Sequence, residues 1–148
     1  MSKARTSAGT KLYVSATLPA TYDKAGFTAL TWVEVGEISD LGSFGKKYNL
    51  VTFNPLGDRK TIKRRGSYNN GTLSLKMAAV PTDGGQVILQ DADDDSLGFK
   101  VVTQSGSTYY FSGQVMGVTL EVGSVDQIMG ASCDIEIDDD IITDALTA

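Results

Sequence analysis

Few residues of this chain are of a type that does chemistry, and their spacing points away from catalysis. The run Arg59-Lys60-Thr61-Ile62-Lys63-Arg64-Arg65 places five positive charges in seven residues, a density suited to releasing counterions from a polyphosphate or to seating against a carboxylate-rich surface. Asp91, Asp93 and Asp95 alternate as in a calcium loop, but the following Gly stands at the wrong place and the closing bidentate Glu is missing. Cys133 is the only thiol and falls on the apolar side of a predicted strand, where a thiol packs rather than attacks. Asn70-Gly71-Thr72 satisfies the glycosylation pattern and equally the pattern of a tight turn, the reading favoured here. Gly113 and Gly117 have the spacing of a membrane helix dimer but lie in strand-like sequence. There is no His, which removes the commonest general base and zinc ligand together. No catalytic residue, metal or cofactor is expected.

The 148 residues suit one domain, and the net charge of −5 conceals an uneven distribution. Through Arg65 there are 11 basic and 5 acidic residues; from Gly66 onward there are 2 basic and 13 acidic. A subunit whose ends carry opposite charge can attract another copy head to tail, and such heterologous contacts repeat into rings or filaments. A basic arm for nucleic acid is the alternative reading, although Tyr68 is the only aromatic beside the run available for base stacking. No apolar stretch approaches the roughly 20 residues that cross a bilayer, and no basic-then-apolar leader opens the sequence. Membrane insertion is therefore not expected, and a single unpaired Cys suits the cytoplasm.

Frequent Gly with recurrent Thr, Val and Ser indicates strands joined by Gly turns. Residues 1–10 lack periodicity and are expected to form a flexible arm. Residues 11–18 alternate, with Leu12, Val14 and Ala16 on one side, and Pro19 ends that strand. Residues 32–35 are extended. The loop 36–45 carries Ile38, Leu41 and Phe44, which should pack. Residues 46–53 read as a strand, and 56–70 as a long polar loop holding the basic run. Asn69-Asn70-Gly71 signals a tight hairpin turn into a strand at 72–79, with Leu73, Leu75 and Met77 inward. Asp83 caps one short helix over 83–92, the only helix expected, and 97–103 is again a strand. Residues 108–122 and 128–138 then form a long hairpin about the turn 123–127. Its first arm places Met116, Val118, Leu120 and Val122 on one face, and its second Met129, Ala131, Cys133, Ile135 and Ile137; the opposite faces are polar to acidic. The β domain spans 11–140, followed by a tail at 141–148.

Together, a β-rich domain of this length, an N-terminal arm, a polar loop between early strands, one short helix and a long C-terminal hairpin resemble the tail tube proteins of long-tailed bacteriophages. The stretch Val51-Thr-Phe-Asn-Pro-Leu-Gly-Asp-Arg-Lys60, then Lys63-Arg-Arg-Gly-Ser67 and Gly71-Thr-Leu-Ser-Leu75, is similar to the major tail proteins of the non-contractile, flexible-tailed group. The resemblance implies a mainly β, sandwich or barrel-like fold whose long hairpin joins an inter-subunit barrel. It further implies hexameric rings stacked head to tail, with DNA passing through the lumen. The loop 56–70 would reach the next ring, making Arg59, Lys60, Lys63, Arg64 and Arg65 the expected inter-ring contact. An acidic lumen repels phosphates, which nominates Glu121, Asp134, Glu136 and Asp138, with the opposite hairpin face as the alternative. Expected partners are further copies of the chain, a tape-measure protein, tail terminator and tail-tip proteins, and DNA in transit, in a virion tail assembled in the bacterial cytoplasm. The competing readings are a β-sandwich binding module of fimbrial or head-decoration type, and the tube protein of a contractile tail or type VI system.

Overall fold

A short chain connection fixes the shape of the sheet. The computed structural model describes residues 8–91 and 96–144. In chain order the elements are β1 (Lys11–Ser15), α1 (Lys24–Thr28), β2 (Val33–Val35), β3 (Ile38–Asp40), β4 (Lys47–Phe53), β5 (Ile62–Asn69), β6 (Thr72–Ala78), α2 (Gly84–Asp91), β7 (Leu97–Val102), β8 (Thr108–Glu121), β9 (Gly130–Ile137) and β10 (Ile142–Asp144). The main sheet runs β2-β1-β7-β8-β9-β6-β3, with β10 added to β8, and every pairing is antiparallel. Laid flat, the outermost of seven strands would lie about 29 Å apart. Only Gly36 and Glu37 separate β2 from β3, and that much chain reaches at most about 11 Å. The sheet must therefore roll until its two edges approach, and its inner face becomes the core. This agrees with the mainly β, barrel-like fold expected from the sequence.

The inner face follows the alternation of the strands. Leu12 and Val14 of β1, Leu73, Leu75 and Met77 of β6, Phe99 and Val101 of β7, Phe111 of β8, and Ala131, Cys133 and Ile135 of β9 are buried together. Ile38, Leu41 and Phe44 pack against this cluster as expected, and the Phe44 ring lies 5.6 Å from that of Phe111. Helix α2 lies against β1, β2 and β8. Its approach to β2 leaves no room for a side chain at Gly85, where a Cβ would come within 2.4 Å of the Glu34 carbonyl oxygen. Asp83 caps the helix as expected: its Oδ2 accepts from the N–H of Gln86 at 3.1 Å and from that of Gly36 at 3.1 Å.

Five features differ from the sequence expectations. A second helix, α1, is capped by Asp23, whose side chain accepts from Gly26 N–H. Phe27 from this helix is buried and stacks on Tyr110, 5.4 Å between centroids; Tyr110 alternates with Phe111, so this cluster covers the outer face of the sheet. Most of the polar loop 56–70 is strand, with β5 paired to β4 in a separate two-stranded sheet. Asn70-Gly71 consequently turns the chain from one sheet into another instead of closing a hairpin; Gly71 takes a positive φ of 91° and its N–H donates to Asn69 Oδ1 at 2.8 Å. In the long hairpin, Val115 pairs with Ile135 and Gly117 with Asp134, so Met116 is the extra residue of a bulge and does not share the face of Val118 and Leu120. The expected tail at 141–148 begins as β10. Residues 1–7 of the N-terminal arm, the expected helix end Ala92 with Asp93–Asp95, and residues 145–148 of the tail lie outside the described residues.

Two predictions arise from the interior. Gln86 is buried; its Nε2 donates to the carbonyls of Gly36 (3.0 Å) and Ala78 (2.9 Å), and its Oε1 accepts from Val80 N–H at 2.9 Å. One side chain thus joins α2, the β2–β3 link and the end of β6. Gln86→Leu keeps the bulk but strands these backbone groups, each worth about 1–3 kcal/mol when left unpaired. Urea unfolding should show a loss of roughly 3 kcal/mol, and a loss below about 1 kcal/mol would contradict the assignment. Cys133 is buried, and burial, reinforced by the neighbouring Asp134, pushes its thiol from 9.0 up to about 12. The folded chain should not react with a thiol reagent at pH 8 and should expose one reactive thiol in urea. Because the unfolded thiol ionises first, this group leaves stability unchanged below about pH 9 and erodes it as pH rises toward 12.

Candidate assembly surfaces

The five basic residues nominated from sequence all lie on the arm formed by β4 and β5. Lys63, Arg64 and Arg65 stand on β5 opposite Thr52, Val51 and Leu50 of β4. Arg59 and Lys60 lie in the connection at the far end, where Asp58 Oδ1 accepts the N–H of Lys60 at 3.3 Å. None of the five forms an ion pair among the described residues; the ion pair Lys11–Glu34 is elsewhere, on β1 and β2. Neither face of the arm is covered. Leu50, Val51 and Phe53 are each more than half exposed and Leu56 fully so. A two-stranded ribbon wet on both sides is marginal by itself, and the apolar residues on it form an exposed patch of the kind found at interaction surfaces. At its base the arm is held by aromatic contacts: Arg65 lies 4.8 Å over the Tyr48 ring, Lys46 lies 4.2 Å over the Tyr68 ring, and the two rings are 5.5 Å apart. Tyr68 Oη donates to Asp140 Oδ1 at 3.3 Å, a link from arm to body that sequence reading did not find.

A second surface is the outer face of the β6-β9-β8 sheet. Asp134 and Glu136 are exposed on β9, opposite Ser74 and Thr72 of β6, and the Thr72 hydroxyl donates to Glu136 Oε1 at 2.7 Å. Glu121 is exposed at the end of β8, opposite Gly130. Asp138 stands apart from these three. It follows β9, and its two carboxylate oxygens accept from the hydroxyls of Ser112 (2.6 Å) and Ser96 (2.5 Å). Lys76, opposite Ser132, contributes one positive charge to the face. The pairing of β7 with β8 ends at Leu97 and Gly113. From Gln114 to Glu121, β8 therefore has no strand neighbour on its β7 side among the described residues, and eight residues of backbone edge stand open. Beyond them the hairpin tip exposes Val122, Val125 and Ile128.

A third surface lies where the arm meets the body. An open groove of about 540 Å³ is lined by Asn49, Ser67 and Asn70 on one side and by Asp138, Asp139 and Asp140 on the other. Tyr22, whose phenol burial raises above its ordinary pKa, fastens this acidic segment from the α1 side: its hydroxyl donates to the Asp140 carbonyl at 2.5 Å and accepts from Ser112 N–H at 3.2 Å. The run of three Asp was visible in the sequence, but its closeness to the base of the basic arm was not. Among the described residues no group of three His, Cys, Asp or Glu is placed to hold a metal, and no helix is long and apolar enough to cross a membrane.

No family model matches the sequence, and none of the curated proteins is similar to it. Solved structures do match. A chain of the anti-feeding prophage baseplate superposes with a TM-score of 0.70 over 97% of this chain and 97% of that chain, at 8% identity. The SPP1 tail tube subunit superposes with a TM-score of 0.65 over 94% of this chain and 78% of that one, at 12% identity. A chain from the sheath/tube terminator of the PVC extracellular contractile injection system gives 0.63 over 97% and 99%, at 10% identity. At these identities the likeness is one of fold, and it extends over nearly the whole chain. The chain thus has the fold found in the phage tail tube and in the tube assemblies of contractile injection systems, as its sequence resemblance implied.

Proposed function

We propose that the chain is a structural, non-catalytic subunit that polymerises into a tail tube of stacked hexameric rings, a conduit for DNA into a bacterial host. The observation that carries this reading is the open edge of β8 from Gln114 to Glu121, beside an outer face bearing Glu121, Asp134 and Glu136. An edge of that length is a template for a strand of another copy. Continuing the sheet from copy to copy would give a closed wall with these carboxylates on its lining, a surface that repels phosphates and lets DNA slide. The arm would then reach the adjacent ring through Arg59, Lys60, Lys63, Arg64 and Arg65, burying its apolar residues. Asp138, already tied to two serines, contributes less to the lining than the other three. The tape-measure, terminator and tip proteins of such a tail are the expected partners. A second reading, the tube of a contractile injection system, is favoured by the match to the PVC sheath–tube complex, with a TM-score of 0.57 over 93% of this chain. A sheath that binds the assembled tubes would decide for it.

Electron microscopy of the purified chain at low and high salt tests the proposal. Hollow tubes or stacked rings are expected, with stacking lost as salt screens the arm's charges. Lys63→Glu, Arg64→Glu and Arg65→Glu introduced together should leave a folded chain that forms no tubes; tubes of ordinary length from this variant would remove the arm from the ring contact. Asp134→Lys with Glu136→Lys should still polymerise, but its tubes should retain DNA at a salt concentration where wild-type tubes release it. Equal retention by both would show that these residues do not line the lumen.

A further inference from the structure

We infer that the acidic groove at the base of the arm is the receptor for the arm tip of a second copy, with Asp139 and Asp140 receiving Arg59 and Lys60. The inference rests on the reading of the arm as the inter-ring contact and names the surface that contact meets.

Two independent observations on the groove ask for the same ligand chemistry. The first is uncompensated negative charge. Asp138 spends both carboxylate oxygens on Ser112 and Ser96. Asp139 Oδ1 accepts only the N–H of Asp140, at 2.8 Å, and Asp140 Oδ1 accepts only the Tyr68 hydroxyl. Neither forms an ion pair among the described residues, and each keeps a carboxylate oxygen free. The second is a missing donor. Asn70, in the opposite wall, is 8% exposed, and its Oδ1 is buried without a hydrogen-bond partner. Carboxylates call for a cation and an orphaned amide oxygen calls for an N–H. A guanidinium supplies both in one planar group.

The chain carries such a group where it cannot serve its own groove. Asn69, at the base of β5, lines the groove, whereas Arg59 lies beyond the start of β5 at Ile62. Seven residue steps of strand hold the tip roughly 24 Å from the base. Donor and acceptor at opposite ends of one extended ribbon cannot meet within a chain, but they meet between copies, and a tip-on-base contact repeats without closing. Within the chain, the Tyr68–Asp140 hydrogen bond joins the base of the arm to the groove wall.

Charge exchange tests this. Arg59→Glu with Lys60→Glu, and separately Asp139→Arg with Asp140→Arg, should each give a folded chain, by circular dichroism and gel filtration, with at least a tenfold loss of tubes. All four substitutions in one chain should restore tubes. If the tip reversal alone leaves tubes intact, the inference fails, and the arm reading fails with it only if the Lys63→Glu, Arg64→Glu, Arg65→Glu variant also forms tubes. If the tip reversal blocks tubes while the groove reversal does not, or if the fourfold variant stays unassembled, only the groove assignment is overturned. A second readout does not need long tubes. A chain with Arg59→Cys mixed at high concentration with a chain with Asp139→Cys should form a disulfide-linked dimer that neither forms alone, Cys133 being buried and unreactive. Absence of the mixed dimer overturns the inference.

Discussion

Two residues of chain between β2 and β3 constrain everything else in the subunit. Because Gly36 and Glu37 cannot span a flat seven-stranded sheet, the strands must curl until both edges share one core. Curling supplies the enclosed face that Phe99, Phe111, Leu73, Leu75 and Ile135 fill. It also decides where the single polar hub belongs, since Gln86 reaches the link, the end of β6 and the entry to α2 at once. Glu37 holds a positive φ of 60° in this link and its carbonyl accepts Ala78 N–H at 2.9 Å. A strained non-glycine conformation is tolerated there because closure of the sheet holds it.

The body so formed leaves outside what a self-sufficient domain would cover. The edge of β8 ends its pairing with β7 at Gly113 although the strand continues to Glu121, and among the described residues the β4–β5 arm has no further strand paired to it. Both features break rules that monomeric proteins follow closely, namely that long edges are shielded and that isolated ribbons are avoided. On a fold shared with the phage tail tube, the polymerisation proposed above would give both exceptions one explanation, because it would supply the missing neighbours.

Much of the body was legible in the residues. The alternation of Leu73, Leu75 and Met77, the capping Asp83 and the run from Thr108 onward each obey a local rule, and each element stands where that rule places it. Of the arm, β4 was legible as the strand read at 46–53, but β5 was not, because strand recognition relies on one face being apolar; Lys63, Arg64 and Arg65 alternate with nothing that needs hiding, so β5 reads as a loop. The face of the long hairpin was misassigned at Met116 because a bulge shifts the period by one and leaves no mark in composition. Helix α1 has five residues with a Gly at its centre, below what periodicity can detect, and is held by Phe27 against Tyr110. Of the surfaces, the charges could be read and their neighbours could not: Asp140 and Tyr68 are 72 residues apart and meet only in the fold.

An arm joined to its body by the single Tyr68–Asp140 side-chain hydrogen bond among the described residues, and wet on both faces, has a thermodynamic consequence. When such a ribbon seats on another molecule, part of the contact energy is consumed in stilling it, so a single seating is weak for its area and readily undone. Weak seatings made several at a time are forgiving. A subunit that arrives misaligned engages too few of them and departs, while one in register is held by the sum. In the proposed tube, contacts none of which is individually strong would in this way correct errors and still build a long and regular polymer.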